Sequence, residues 1–144
     1  MGQSKLKRKL NSALIVSDDE DLSLLLSFLL EAEAVQVRSS RILELAIPGL
    51  AKEQPNAIFL DLEDGSSWRL LEFIQKRWPH IALFTVAKPE FRALAERSMQ
   101  AGAQGYLLTP VDYRGVQRIL GSRVGERKQN RNSHRSGGSF VMTR

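Results

Sequence analysis

Cysteine is missing from all 144 residues. Disulfides, thiolate nucleophiles and cysteine metal sites are thereby excluded, and a reducing cytoplasm is the compartment expected. Histidine occurs only at positions 80 and 134, without partners at metal-ligand spacing, so no zinc centre is indicated. No apolar run approaches the ~20 residues a membrane span needs. The basic start, Lys5-Leu6-Lys7-Arg8-Lys9, lacks the apolar stretch of a signal peptide. A soluble protein of one domain follows, long enough to build a sizeable core.

Charge is present but unevenly placed. Residues 1–12 carry four Lys/Arg and no acid, and residues 122–144 carry six against Glu126. Of the net +5, the ends therefore hold +9 and the body, 13–121, is mildly acidic at −4. A nucleic-acid role for the whole domain does not follow from the high pI. The basic end has no aromatics interleaved among Arg123–Arg135 to stack on bases. It reads as a disordered tail or linker, with a weak salt-sensitive attraction to phosphate left open. The expected organisation is a basic extension over 1–10, a globular domain over 11–121 and this tail over 122–144.

Within the body, apolar runs and helical periods alternate. Strands are expected at 13–17, 35–38, 57–60, 81–86 and 106–108. Helices are expected at 19–32, 41–53, 67–77, 89–101 and 112–121. Leu22, Leu25, Leu26, Leu29 and Leu30 form the core face of the first, and Pro48-Gly49 implies a kink or early stop in the second. Pro89 opens the fourth and Gly102 closes it. Trp68, Phe73 and Trp78 are assigned to helix packing. Five strands alternating with five helices indicate a three-layer α/β sandwich, a flavodoxin-like (βα)5 fold whose parallel sheet has the order 2-1-3-4-5.

In such a sheet ligands bind beyond the carboxyl ends of the strands. Two buried runs end there in acids: Ala13-Leu14-Ile15-Val16-Ser17-Asp18-Asp19 and Ala57-Ile58-Phe59-Leu60-Asp61. Neighbouring strands would set Asp18 beside Asp61, a like-charge pair that needs a cation or a proton. Thr85 and Thr109 end the next two strands on the same rim.

Together these positions resemble the receiver domain of bacterial two-component response regulators, over roughly residues 11–121. The matching features are Ser17-Asp18-Asp19, Asp61, Thr85 and Thr109-Pro110. Ala101-Gly102-Ala103-Gln104-Gly105-Tyr106-Leu107-Leu108-Thr109-Pro110 follows the family's Ala-Gly-Ala-x-Gly-Tyr-hydrophobic-hydrophobic-Lys-Pro closely. The resemblance implies that a sensor histidine kinase phosphorylates Asp61, a signalling role rather than an enzyme's. It implies Mg²⁺ held by Asp18, Asp61 and the main-chain carbonyl of Glu63, with Ser17 and Asp19 as auxiliaries. Thr85 and Tyr106 are the implied switch, acting on the surface of helix 4, strand 5 and helix 5, where a homodimer could form. A cis bond before Pro110 is also implied.

Three departures mark an atypical member. Ser17 stands where the family usually has the first acid, so the metal site is weakened. Thr109 stands where it has a Lys. The loop Leu62-Glu63-Asp64-Gly65-Ser66-Ser67-Trp68 lacks the usual Pro and is about two residues shorter. Two readings stay open: a phosphorylated regulator with impaired switching, and a pseudo-receiver that works as an interaction or dimerisation module. The run Asp61-Leu62-Glu63-Asp64-Gly65-Ser66 is superficially similar to the Asp-x-Asp-Gly-Thr loop of haloacid-dehalogenase-type phosphatases. The later Lys and further acids of that family have no counterparts here, and that reading is set aside. Nucleic acid is expected as a partner only through an output domain outside these residues, or weakly through the basic tail.

Overall fold

In the computed structural model, which describes residues 10–63 and 65–121, strands and helices alternate along the chain. They are β1 (Ser12–Val16), α1 (Glu20–Glu31), β2 (Gln36–Ser40), α2 (Leu43–Lys52), β3 (Ala57–Asp61), α3 (Gly65–Arg77), β4 (Ala82–Ala87), α4 (Arg92–Gln100), β5 (Gly105–Leu108) and α5 (Tyr113–Gly121). A short 3-10 turn, Pro89–Phe91, leads into α4. The strands form one parallel sheet in the order β2-β1-β3-β4-β5, the expected flavodoxin-like arrangement. The expected extension and tail, His134 and Asp64 lie outside the described residues.

Continuous apolar strands arise because both faces of the sheet are covered. On one face Ile15, Phe59, Phe84 and Val86 pack with Leu22, Leu26, Leu29 and Leu30 of α1 and Val116 and Ile119 of α5. On the other, Leu14, Val16, Ile58, Leu60 and Leu83 pack with Leu43, Leu50, Leu71, Ile74 and Ala95. Phe59 and Phe84 are register partners, and their rings stack with centroids 5.1 Å apart. The last helix returns along β5: Gly115 lies beside Leu107, and Ile119 lies beside Gly105.

Local chemistry sets most boundaries. Asp19 caps α1, its carboxylate accepting from the Leu22 N–H at 3.1 Å. Gly102, at φ +119°, turns the chain after α4, and a Cβ there would collide with the Gln75 amide. Ala34 takes the corresponding left-handed turn after α1 at φ 67° without being glycine.

Several expectations need correction. Leu25 is 40% exposed, because the cap at Asp19 phases α1 so that this residue sits at the margin of the apolar stripe. Phe73 is 44% exposed and meets the buried Trp78 edge-on. Pro48 does not stop α2, which continues to Lys52. The edge strand β2 reaches Ser40, because β1 pairs with it along its whole length.

Candidate functional site

Beyond the carboxyl ends of the strands lies an open hollow of about 540 Å³, lined by Asp18, Asp19, Asp61, Glu63, Lys88 and Thr109 among others. The parallel register creates it. Val16 pairs with Leu60 and Leu60 with Thr85, so β1, β3 and β4 end within two residues of one another and their ends share one rim.

Asp61 closes β3 half-buried, and its carboxylate accepts a hydrogen bond from the Ser17 hydroxyl at 2.7 Å. Ser17 is itself buried, and its oxygen also accepts from the Asp19 N–H at 3.0 Å. Ser17, Asp19 and Asp61 are therefore one connected unit. The Asp61 carboxyl is raised above its ordinary value, first because burial strips water from the charge. The Ser17 bond opposes that shift. Asp19 reinforces it, Lys88 opposes it and Asp18 reinforces it, in falling order.

Asp18 lines the hollow yet has turned outward. Its side chain is 63% exposed and forms an ion pair with Arg41 at 3.7 Å. The structure thus brings Asp18 and Asp61 to one rim, while the direct partner of Asp61 is Ser17. The main chain at Glu63 is held by the Ser67 hydroxyl, which accepts from the Glu63 N–H at 2.9 Å.

Thr85 is fully buried and does not line the hollow. Its hydroxyl meets that of Ser98 on α4 at 2.9 Å. Ser98 donates to the carbonyl of Ala95 at 2.6 Å, so Thr85 is the donor between the two hydroxyls. Thr85 and Tyr106 are register partners across β4 and β5 and share a face. Tyr106 is half-buried against that core, and its hydroxyl is raised above the usual tyrosine value by burial and then by Glu96. Thr109 lines the hollow, its N–H bonds to the carbonyl of Ala87 at 2.9 Å, and the bond to Pro110 is cis, as expected.

Two residues of this neighbourhood escaped the sequence reading. Lys88, one residue past β4, lines the hollow. Its visible signal was its place after a strand end, the same signal that singled out Thr109. Ser98 carried none, because its partner lies on a different element.

No protein family model matches the chain. The response regulator protein PilR of Pseudomonas aeruginosa is 33% identical over 102 residues, 69% of this chain and 23% of that protein. The receiver domain of NtrX from Brucella abortus superimposes with a TM-score of 0.66 at 21% identity, covering 74% of this chain and 92% of that domain. A response regulator from Thermotoga maritima gives 0.69 at 22%, covering 78% and 99%. The chain carries a response regulator receiver domain. It spans about a quarter of the length of the curated relative it matches. Receiver domains belong to two-component signalling, generally act with histidine kinases rather than as enzymes, and generally bind Mg²⁺ where they are phosphorylated. Among the described residues no helix is long and apolar enough to cross a membrane.

The donors of this receiver hollow are carboxylate, hydroxyl and carbonyl oxygens, the hard ligands that Mg²⁺ prefers. Among the described residues no three His, Cys, Asp or Glu side chains converge to hold a metal. A site here would draw on fewer side chains and more water, which suits Mg²⁺.

Proposed function

We propose that this receiver domain takes a phosphoryl group on Asp61 from a sensor histidine kinase, in the cytoplasm, with an atypical switch. The observation that carries this reading is the Asp61 carboxylate itself, half-buried at the end of β3 and facing a hollow open to a donor. A carboxylate oxygen attacks phosphorus, the phosphorus–nitrogen bond of the donor breaks, and the imidazole departs with the electron pair and gains a proton. Ser17 orients the nucleophilic carboxylate through its hydrogen bond. Asp18, Asp61 and the main-chain carbonyl of Glu63 would hold Mg²⁺, which when bound supplies positive charge to the phosphoryl oxygens. Asp18 is available for this because its pairing with Arg41 is long and solvent-exposed.

The same structure supports a second reading, a pseudo-receiver that binds partners or a second copy without phosphorylation. Thr109 brings no charge, and the hydroxyl of Thr85 is committed to Ser98 rather than to the hollow. One experiment separates the two readings. The protein and an Asp61→Asn variant are incubated with acetyl phosphate and Mg²⁺ and followed by intact mass. A phosphoryl adduct on the first and none on the second is expected. No adduct on either, with persistent self-association through α4, β5 and α5, would establish the pseudo-receiver.

A further inference from the structure

Thr109 leaves the end of β5 without a cation, yet the hollow is not without one. Among the described residues that line it, Lys88 is the sole positive side chain. Lys88 directly follows Ala87, the last residue of β4, and Ala87 pairs in register with Leu108. Lys88 therefore stands beside Thr109, one strand nearer to the β3 end that carries Asp61. The hydrogen bond from the Thr109 N–H to the Ala87 carbonyl, at 2.9 Å, ties these two strand ends together.

The side chain has the freedom the role requires. Lys88 is exposed and makes no ion pair among the described residues, whereas Arg41 does not line the hollow. A flexible ammonium is a mobile point charge with three donors, suited to oxygens that arrive only with the ligand. Its charge already acts on the Asp61 carboxylate.

We propose that Lys88, from the end of β4, supplies the positive charge that holds the phosphoryl oxygens on Asp61, a place that Thr109 cannot fill from β5. This rests on the reading of Asp61 as acceptor and specifies how that site works. With acetyl phosphate as donor, a new phosphorus–oxygen bond forms to Asp61. The bond between phosphorus and the acetate oxygen breaks, and acetate leaves with the electron pair. Lys88 transfers no proton; it neutralises charge on the three peripheral oxygens.

The test compares wild type, Lys88→Met and Lys88→Arg with acetyl phosphate and Mg²⁺, reading initial adduct formation by intact mass. Lys88→Met is expected to slow labelling about tenfold or more, and Lys88→Arg to stay near the wild-type rate. All three should melt alike, since the side chain is exposed. Labelling of Lys88→Met at the wild-type rate would overturn the proposal. A second measurement, ¹⁹F NMR with beryllofluoride and Mg²⁺, needs no transfer step. A bound signal in wild type that is lost in Lys88→Met supports the role of Lys88 even if acetyl phosphate labels nothing, in which case only the acceptor reading fails. A signal equal in both proteins, or absent from wild type, overturns the role of Lys88.

Discussion

At the rim of the sheet Asp61 carries a negative charge in a half-buried position, with one hydroxyl to steady it. Its carboxyl is raised, chiefly by burial, above the 3.8 of an unperturbed group. A folded-state value above the unfolded one favours folding fully below the unfolded value. That contribution is lost as pH rises through the folded value. At neutral pH the charged group therefore works against the fold. Asp61→Asn, which keeps an acceptor for Ser17, should raise the melting temperature at pH 7. The gain should fade as the pH falls through the raised folded value and be gone below about 4, where the carboxyl is neutral folded and unfolded alike. Thermal melts across that range check the sign, and an equal gain at every pH would contradict it. Asp61 was legible because an apolar strand ended in a carboxylate. The outward turn of Asp18 was not, because Arg41 reaches it from the loop after β2. Lys88 was passed over because a lysine before a proline reads as an ordinary loop residue.

Between elements, β4 and α4 are joined by the buried chain from Thr85 through Ser98 to the Ala95 carbonyl. Direction matters in such a chain. Ser98→Ala leaves the Thr85 hydroxyl buried without its acceptor, at a cost of about 1–3 kcal/mol. Thr85→Val removes a donor only, because Ser98 keeps the Ala95 carbonyl, so it should cost less. Denaturant melts of the two variants and the double variant are expected to show this order and a double-mutant effect below the sum of the singles. Equal single effects that simply add would mean that the two hydroxyls are not coupled. The resemblance named Thr85 and Tyr106 together, and the register of β4 with β5 sets them side by side on one face. No pattern within β4 signals that α4 claims the Thr85 hydroxyl, because Ser98 lies on a different element. The Leu25 exposure has a related origin: helical spacing fixes neighbours on a stripe, while the Asp19 cap fixes where the stripe points.

Across the whole molecule, a single sheet separates two apolar layers that share no side chains but share strands β1, β3, β4 and β5. Unfolding either layer exposes the backbone of the other, so one cooperative transition is expected. Phe59→Ala should cost about 3–5 kcal/mol and Leu71→Ala about 2–5 kcal/mol. Each should lower one common melting point, read together by calorimetry and circular dichroism. Two separated transitions in either variant would show that the layers fold independently. The strand order was legible because continuous apolar runs with intervening helices leave few right-handed topologies. The edge strand was the least legible, since Gln36–Ser40 is largely polar and owes its length to pairing with β1.

The return of α5 along β5 has a consequence for how this domain can be wired to anything else. Leu10 leads into β1 and Gly121 ends α5, so the described chain enters and leaves on the rim where the strands begin. The hollow opens on the other rim, roughly 15 Å away along a five-residue strand. A group joined directly at Leu10 or Gly121 would therefore start from the rim opposite an incoming donor. Between Asp61 and those two positions lies the length of the sheet, so a change at Asp61 reaches them through relays that cross the sandwich from one rim to the other.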